Sequence, residues 1–225
     1  MKSLTVSEAV ADRRSVRAFL PTPVDEAVLR RALERALRAP SGGNLQPWRL
    51  RVAAGALLER IKTAVVQRAL ERPEGETADY PIYPSPLASP WRERRYQAGE
   101  ALYAALGIGR EDRAGRRAQF LNNYRAFGAP VVIFFYLRRG HGAPQWADVG
   151  MMMQTLMLLL REEGLDSCPQ EAWAPYAATV DAHLAPHEDE MLFAGLAVGF
   201  RDPDAPINRF EVARAPIDEI VSFHA

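Results

Sequence analysis

At 225 residues, with 48% hydrophobic and 25% charged side chains, the chain has the composition of a folded globular protein and not of a disordered one. Its 28 basic and 28 acidic residues cancel, which excludes the global basic field that non-specific nucleic-acid binding requires, so an anionic ligand must be met by a local cluster. The single cysteine, Cys168, excludes an internal disulfide framework and fits a reducing cytoplasm.

The start, Met1-Lys2-Ser3-Leu4-Thr5, lacks the apolar core and cleavage pattern of a secretory leader. Thr5-Val6-Ser7-Glu8 reads as a capping box, so a short helix is expected to deliver the chain to Arg13. There Arg13, Arg14, Ser15 and Arg17 place three guanidinium groups and a hydroxyl within five residues. Planar guanidinium forks suit a phosphate; a solvated basic turn behind a helix would carry the same residues.

From 25 to about 38, Val28, Leu29, Leu33, Ala36 and Leu37 recur at helical spacing opposite a charged face, and Pro40 stops the helix. The segment from Ala39 to Trp48 then joins this helix to a strand at 48–52. Its Pro40, Ser41, Gly42, Asn44 and Gln46 combine turn residues, small backbone and polar donors. A ligand loop and an ordinary capped connection both fit that composition.

A helix at 55–71 precedes a stretch broken by prolines at 73, 81, 84, 86 and 90, expected as a surface loop or lid support. Helices follow at 91–106 and 110–127. The continuous apolar run 130–137 predicts a strand buried on both faces. A buried helix is expected at 145–163; its apolar part is too short for the ~20 residues of a membrane span, so no membrane partner is expected. A short helical region at 180–184, a strand at 191–200 and an arm at 201–225 complete an α+β chain with three strands. One domain over 1–225 is expected, with 73–127 as an excursion over the active site.

Other chemistries find little support. Gly107-Ile108-Gly109 lacks a third glycine and a preceding strand, so it is no dinucleotide fingerprint. Ser41 sits in no nucleophile elbow. His183 and His187 have i, i+4 spacing, but Pro186 disrupts their helix, and no metal site is expected. Cys168 reads as a small buried hydrophobe before it reads as a redox thiol.

Four blocks in order, Arg13-Arg14-Ser15-x-Arg17, Ala39 to Trp48, Gly164-Leu165-Asp166-Ser167-Cys168-Pro169-Gln170, and Asp202 to Phe210 with Arg214-Ala215-Pro216, resemble the flavin-dependent nitroreductase family over nearly the whole chain. The resemblance implies a nitroreductase-like α+β fold, a mostly antiparallel sheet flanked by helices, and a homodimer with an exchanged C-terminal arm. It implies FMN at the interface, NADH or NADPH as co-substrate, and a small-molecule acceptor, nitroaromatic or quinone-like, reduced by ping-pong hydride transfer through flavin N5. Arg13, Arg14, Ser15 and Arg17 would hold the phosphate, ribityl chain and pyrimidine edge. Pro40, Ser41, Gly42, Asn44 and Gln46 of the other subunit would line the rings. Pro169, Gln170, Glu171 and Ala172 would present a backbone amide toward N5, and Arg214 and Arg209 would complete the phosphate site.

The stretch from Arg94 to Ile108 resembles the nitrobenzoate-reductase branch, and Tyr80, Tyr83, Tyr124 and Phe127 would wall a substrate pocket, core packing being their other reading. Because the flavin carries the hard chemistry, no side-chain acid or base is required. Reductive dehalogenation, flavin fragmentation and dehydrogenation on the same scaffold, or a non-catalytic flavin-binding module, remain alternatives.

Overall fold

Thr5 caps the first helix as its sequence predicts: its hydroxyl accepts from the Glu8 amide, and the Glu8 carboxylate accepts from the Thr5 amide, which opens α1 (Val6–Asp12). The computed structural model describes residues 4–76 and 78–224; Met1, Lys2, Ser3, Thr77 and Ala225, on which part of the leader, loop and arm expectations fall, lie outside the described residues. Asp25 caps α2 (Glu26–Ala36) by accepting from the Ala27 amide at 2.8 Å. The helices α3 (Gly55–Glu71), α4 (Trp91–Ala105), α5 (Arg113–Leu121), α6 (Ala143–Glu162) and α7 (Ala177–Leu184) follow.

Four strands form the sheet among the described residues: β1 (Arg49–Ala54), β2 (Val131–Arg138), β3 (Asp166–Gln170) and β4 (Glu190–Gly199), in the order β1-β2-β4-β3 with every pairing antiparallel. The expected strand count of three is corrected to four. β3, Asp166-Ser167-Cys168-Pro169-Gln170, carries neither an apolar run nor a β-branched residue, so pairing with β4 makes it a strand where local pattern does not. The helix expected through Phe127 is also corrected. It ends at Leu121 and passes into a 3-10 segment, where Ala126 and Phe127 take positive φ and break the helical path.

β2 explains the layering. Its seven residues from Val131 to Leu137 are buried, and their alternation sends Val132, Phe134 and Tyr136 toward α3 and α7 while Val131, Ile133, Phe135 and Leu137 meet α2 and α6. Each such side chain contributes about 1.5–3 kcal/mol through burial. On β4, Gly195 lies under the Trp173 indole so closely that a Cβ there would meet the ring at 2.5 Å, so only glycine allows this contact. No helix among the described residues is long and apolar enough to cross a membrane.

Candidate functional site

The segment after α1 runs alongside β3, where the Val16 amide donates to the Ser167 carbonyl at 3.1 Å and Ser15 bridges Ser167 in parallel. Sequence distance thus becomes contact: the arginine cluster and the 166–172 block lie side by side. A third segment joins them. Asn208, 5% exposed, accepts from the Arg17 amide through Oδ1 at 2.8 Å and donates through Nδ2 to the carbonyls of Ala18 and Asp202. Its own carbonyl accepts from Arg14 Nη1 at 3.3 Å.

The result is a cleft of about 270 Å³ whose lining includes Arg13, Arg14, Ser15, Arg17, Glu211 and Arg214. Among the described residues no carboxylate lies within 4 Å of any of these four guanidinium groups, although arginines elsewhere on the surface are widely paired. Four unneutralised cations in one cleft repel each other and are stabilised by a bound anion. The donor set fits a dianionic phosphate. Arg209 is a correction: it turns away, with Nη2 3.1 Å from Asp204 and Nε donating to the Pro203 carbonyl, and lines no part of this cleft.

Behind the cleft lies a closed ring of charge. Asp12 Oδ2 meets Arg161 Nη2 at 2.6 Å and Arg201 Nη2 at 2.8 Å, and Asp166 meets Arg201 Nε at 2.9 Å. Asp166 Oδ1 sits 3.0 Å from Arg161 Nη1 in a geometry that makes the contact Coulombic and not a hydrogen bond. Burial opposes the Asp12 charge, but Arg201 and Arg161 outweigh it and hold the carboxyl below its ordinary range. Because Asp12 is bonded directly to Arg13, the ring fixes where the basic segment begins. Asp12 and Arg201 reach Arg161 and Asp166 across 149 and 35 residues, and this pairing has no local signal in sequence.

The loop after α2 is built from backbone shape. A 3-10 turn at Gly42–Asn44 takes positive φ at Gly43 and Asn44, followed by Gln46. Ser41 Oγ accepts from the Gln46 amide at 3.0 Å, and Gln46 Nε2 donates to Asn44. One contact ties the turn to the body: the Gly42 amide donates to both Asp148 carboxylate oxygens at 3.2 and 3.3 Å. Asp148, on α6, is 4% exposed and has no cation within 4 Å among the described residues. Its place beneath the loop has no local signal in sequence, since the contact spans 106 residues. Arg49 closes the loop's far end by donating to the Trp48 and Gln46 carbonyls.

Of the remaining expected residues, Pro169 is partly exposed and Glu171 exposed at the end of β3, with Ala172 half-buried beside them. Gln170 is buried and its amide is committed inward, donating to the Asn123 carbonyl at 2.8 Å and accepting from Trp173. Its side chain therefore braces the core. Cys168 is also buried, which pushes its thiol up to about 11 and disfavours the thiolate at neutral pH.

The four aromatics expected along a substrate pocket separate. Tyr124 and Phe127 are corrected to core residues, Tyr124 lying edge-on to Trp173 and Tyr176. Tyr80 is half-buried, donating to the Phe193 carbonyl with its ring edge-on to Trp146. Only Tyr83 presents an exposed face, beneath Arg95 in a separate cleft of about 610 Å³.

A family model described as "Nitroreductase family" matches residues 10–200. The chain belongs to the nitroreductase family. It is 34% identical to a nitrobenzene nitroreductase of Ectopseudomonas oleovorans, covering 97% of this chain and 96% of that protein, and 33% identical to a 4-nitrobenzoate reductase of Pseudomonas putida, covering 91% and 89%. Among solved structures, the FMN and NADPH-dependent nitroreductase NfnB from sphigopyxis sp. strain HMH is 54% identical with a TM-score of 0.96, covering 99% of this chain and all of that one. The FMN-dependent nitroreductase NfnB from Mycobacterium smegmatis, in complex with NADPH, is 35% identical with a TM-score of 0.92 over 97% of both chains. The nitroreductase fold expected from the four blocks is thus the fold of this chain, α+β with an antiparallel sheet.

Proposed function

We propose that this nitroreductase is an FMN-dependent NAD(P)H oxidoreductase that reduces nitroaromatic or quinone-like acceptors. The observation that carries the reading is the cleft of four guanidinium groups without carboxylate partners, matched to the phosphate of FMN. Bound FMN supplies hydride transfer through N5 between a nicotinamide donor and the acceptor. Arg13, Arg14, Ser15 and Arg214 hold the phosphate and ribityl end, and Arg17 places positive charge near the pyrimidine edge, which favours electron gain by the ring. Pro169 and the backbone of Glu171 and Ala172 border the N5 side, while Pro40, Ser41, Gly42, Asn44 and Gln46 border the rings.

Two copies complete the site. Asp148, which holds the ring loop, and Arg161, which backs the phosphate cleft, are 13 residues apart on α6, hence about 20 Å along its axis. A twofold crossing of α6 against its copy brings each loop to the other chain's arginines. The outer face of α6 suits such a crossing: Ala147, Gly150, Met151 and Gln154 are exposed and mostly small or apolar. The arm has a place to go as well. β1 is an open sheet edge beside a cleft of about 680 Å³ lined by Leu29, Leu33, Leu37, Leu50 and Val52, and Ile217, Ile220 and Phe223 of the arm are exposed. In this reading 73–127 lies over the active site, within one domain in the cytoplasm.

Purified protein is expected to be a yellow dimer whose flavin absorbance falls on anaerobic addition of NADPH or NADH and returns with a nitroaromatic. Arg13→Ala weakens FMN retention at least tenfold, whereas Arg60→Ala, on an exposed face of α3, leaves it unchanged. A colourless protein that FMN cannot reconstitute, or equal retention in both variants, overturns the reading.

A further inference from the structure

The cleft between the proline-rich loop and the first turn of α4 has a composition that the flavin site does not use. Its walls are Pro84, Pro86, Leu87 and two aromatic rings, Tyr83 at 48% and Trp91 at 59% exposure, enclosing about 610 Å³. The single charged group in its lining is Arg95. Neighbouring arginines each meet a carboxylate: Arg92 meets Glu93, Arg94 meets Glu219, and Arg110 and Arg116 share Glu100. Arg95 has no carboxylate within 4 Å among the described residues, and its guanidinium lies instead 4.2 Å above the Tyr83 ring.

A guanidinium held over an aromatic face by cation–π attraction keeps N–H donors available to grip an oxyanion. Aromatic and proline walls favour a flat apolar ring, and low local polarity strengthens the attraction of the lone cation for a negative group. Arg94, next in sequence to Arg95, lines a neighbouring cleft together with Arg214 of the arm.

We infer that the Tyr83–Trp91–Arg95 cleft is a subsite for a planar aromatic ring bearing an anionic group, with Arg95 setting the preference for the anion over its neutral isostere. It rests on the oxidoreductase reading for its role in turnover, and two ligands of that reaction carry this chemistry: a carboxylated nitroarene acceptor and the 2′-phosphoadenosine end of NADPH.

The test is equilibrium titration of the oxidised protein with 4-nitrobenzoate against 4-nitrobenzamide, and with the redox-inert NADP+ against NAD+, in wild type, Arg95→Met, Arg95→Lys and Arg92→Met. Wild type is expected to bind one anionic member about tenfold more tightly than its neutral counterpart. Arg95→Met abolishes that preference, Arg95→Lys retains part of it, and Arg92→Met keeps it whole. Loss confined to the nitrobenzoate pair assigns the subsite to the acceptor; loss confined to the nucleotide pair assigns it to the 2′-phosphate. No preference in wild type, or a preference that survives Arg95→Met in both pairs, overturns the inference. Since titration needs no turnover, this result is separate from the flavin test, in which failure shows as a colourless protein.

Discussion

The two ends of α6 carry two different solutions to holding a ligand. At its C-terminal end, Arg161 joins Asp12, Asp166 and Arg201 in a ring of alternating charge that backs four unpaired arginines. At its N-terminal end, Asp148 holds one backbone amide of a loop whose form comes from positive-φ residues and its own internal bonds. One end specifies charge, the other shape. The difference predicts how each fails: disturbing the ring leaves buried charge uncompensated, whereas disturbing the loop anchor frees a few residues and little else.

Asp166→Ala is the strongest way to break this comparison. Asp166 is almost wholly buried, and its removal leaves Arg161 and Arg201 to share Asp12 alone. A loss of about 3–5 kcal/mol is expected from breaking a buried pair on one side, measured by urea unfolding. A loss below about 1 kcal/mol would show that the ring is solvated and that charge does not fix this end.

What was legible in the sequence follows the same division. The shape end announced itself, because glycines, prolines and short polar side chains at 39–48 are local turn chemistry, and the capping box at Thr5 did so for the same reason. Arg13, Arg14 and Arg17 stood out as cations, and the resemblance set them, with Arg214, along the flavin from its phosphate to its pyrimidine edge; that all four share one cleft is a tertiary fact. The supports stayed hidden. Asp148 reaches the loop across 106 residues, Asn208 reaches Arg14 across 194, and Arg201 joins the ring to Asp166 and Asp12 across 35 and 189, and no periodicity encodes such pairs. β3 was missed because its strand state comes from β4, and Tyr124 and Phe127 were placed in a pocket because an aromatic near a loop reads alike whether it faces the core or a cleft.

A gentler probe sharpens the shape end. In Asp148→Ala the Gly42 amide loses an ionic acceptor, a bond of about 1.5–3 kcal/mol, so its hydrogen exchange is expected to speed by roughly 10- to 100-fold. Global stability should move far less than in Asp166→Ala, because the variant also removes a buried carboxylate that has no cation to offset its desolvation. Asp148→Asn, whose amide oxygen still accepts, restores slow exchange. Exchange at Gly42 unchanged in the alanine variant would show that the loop's own bonds suffice to hold it.

The smallest expected effect concerns pH at the charge end. Asp12 has its carboxyl held low by Arg201 and Arg161 against the cost of burial, so its contribution to stability is present above the unfolded-state value of about 3.9 and is lost as pH falls through the lower folded value. Asp12 is 41% exposed on its side chain, and solvent screening keeps that contribution modest. Stability measured from pH 7 down to pH 2 should therefore decline below about pH 4, with the decline shallower in Asp12→Asn. An identical acid limb in the two proteins would mean that Asp12 only positions Arg13 through geometry and that the ring's electrostatic hold rests on Asp166.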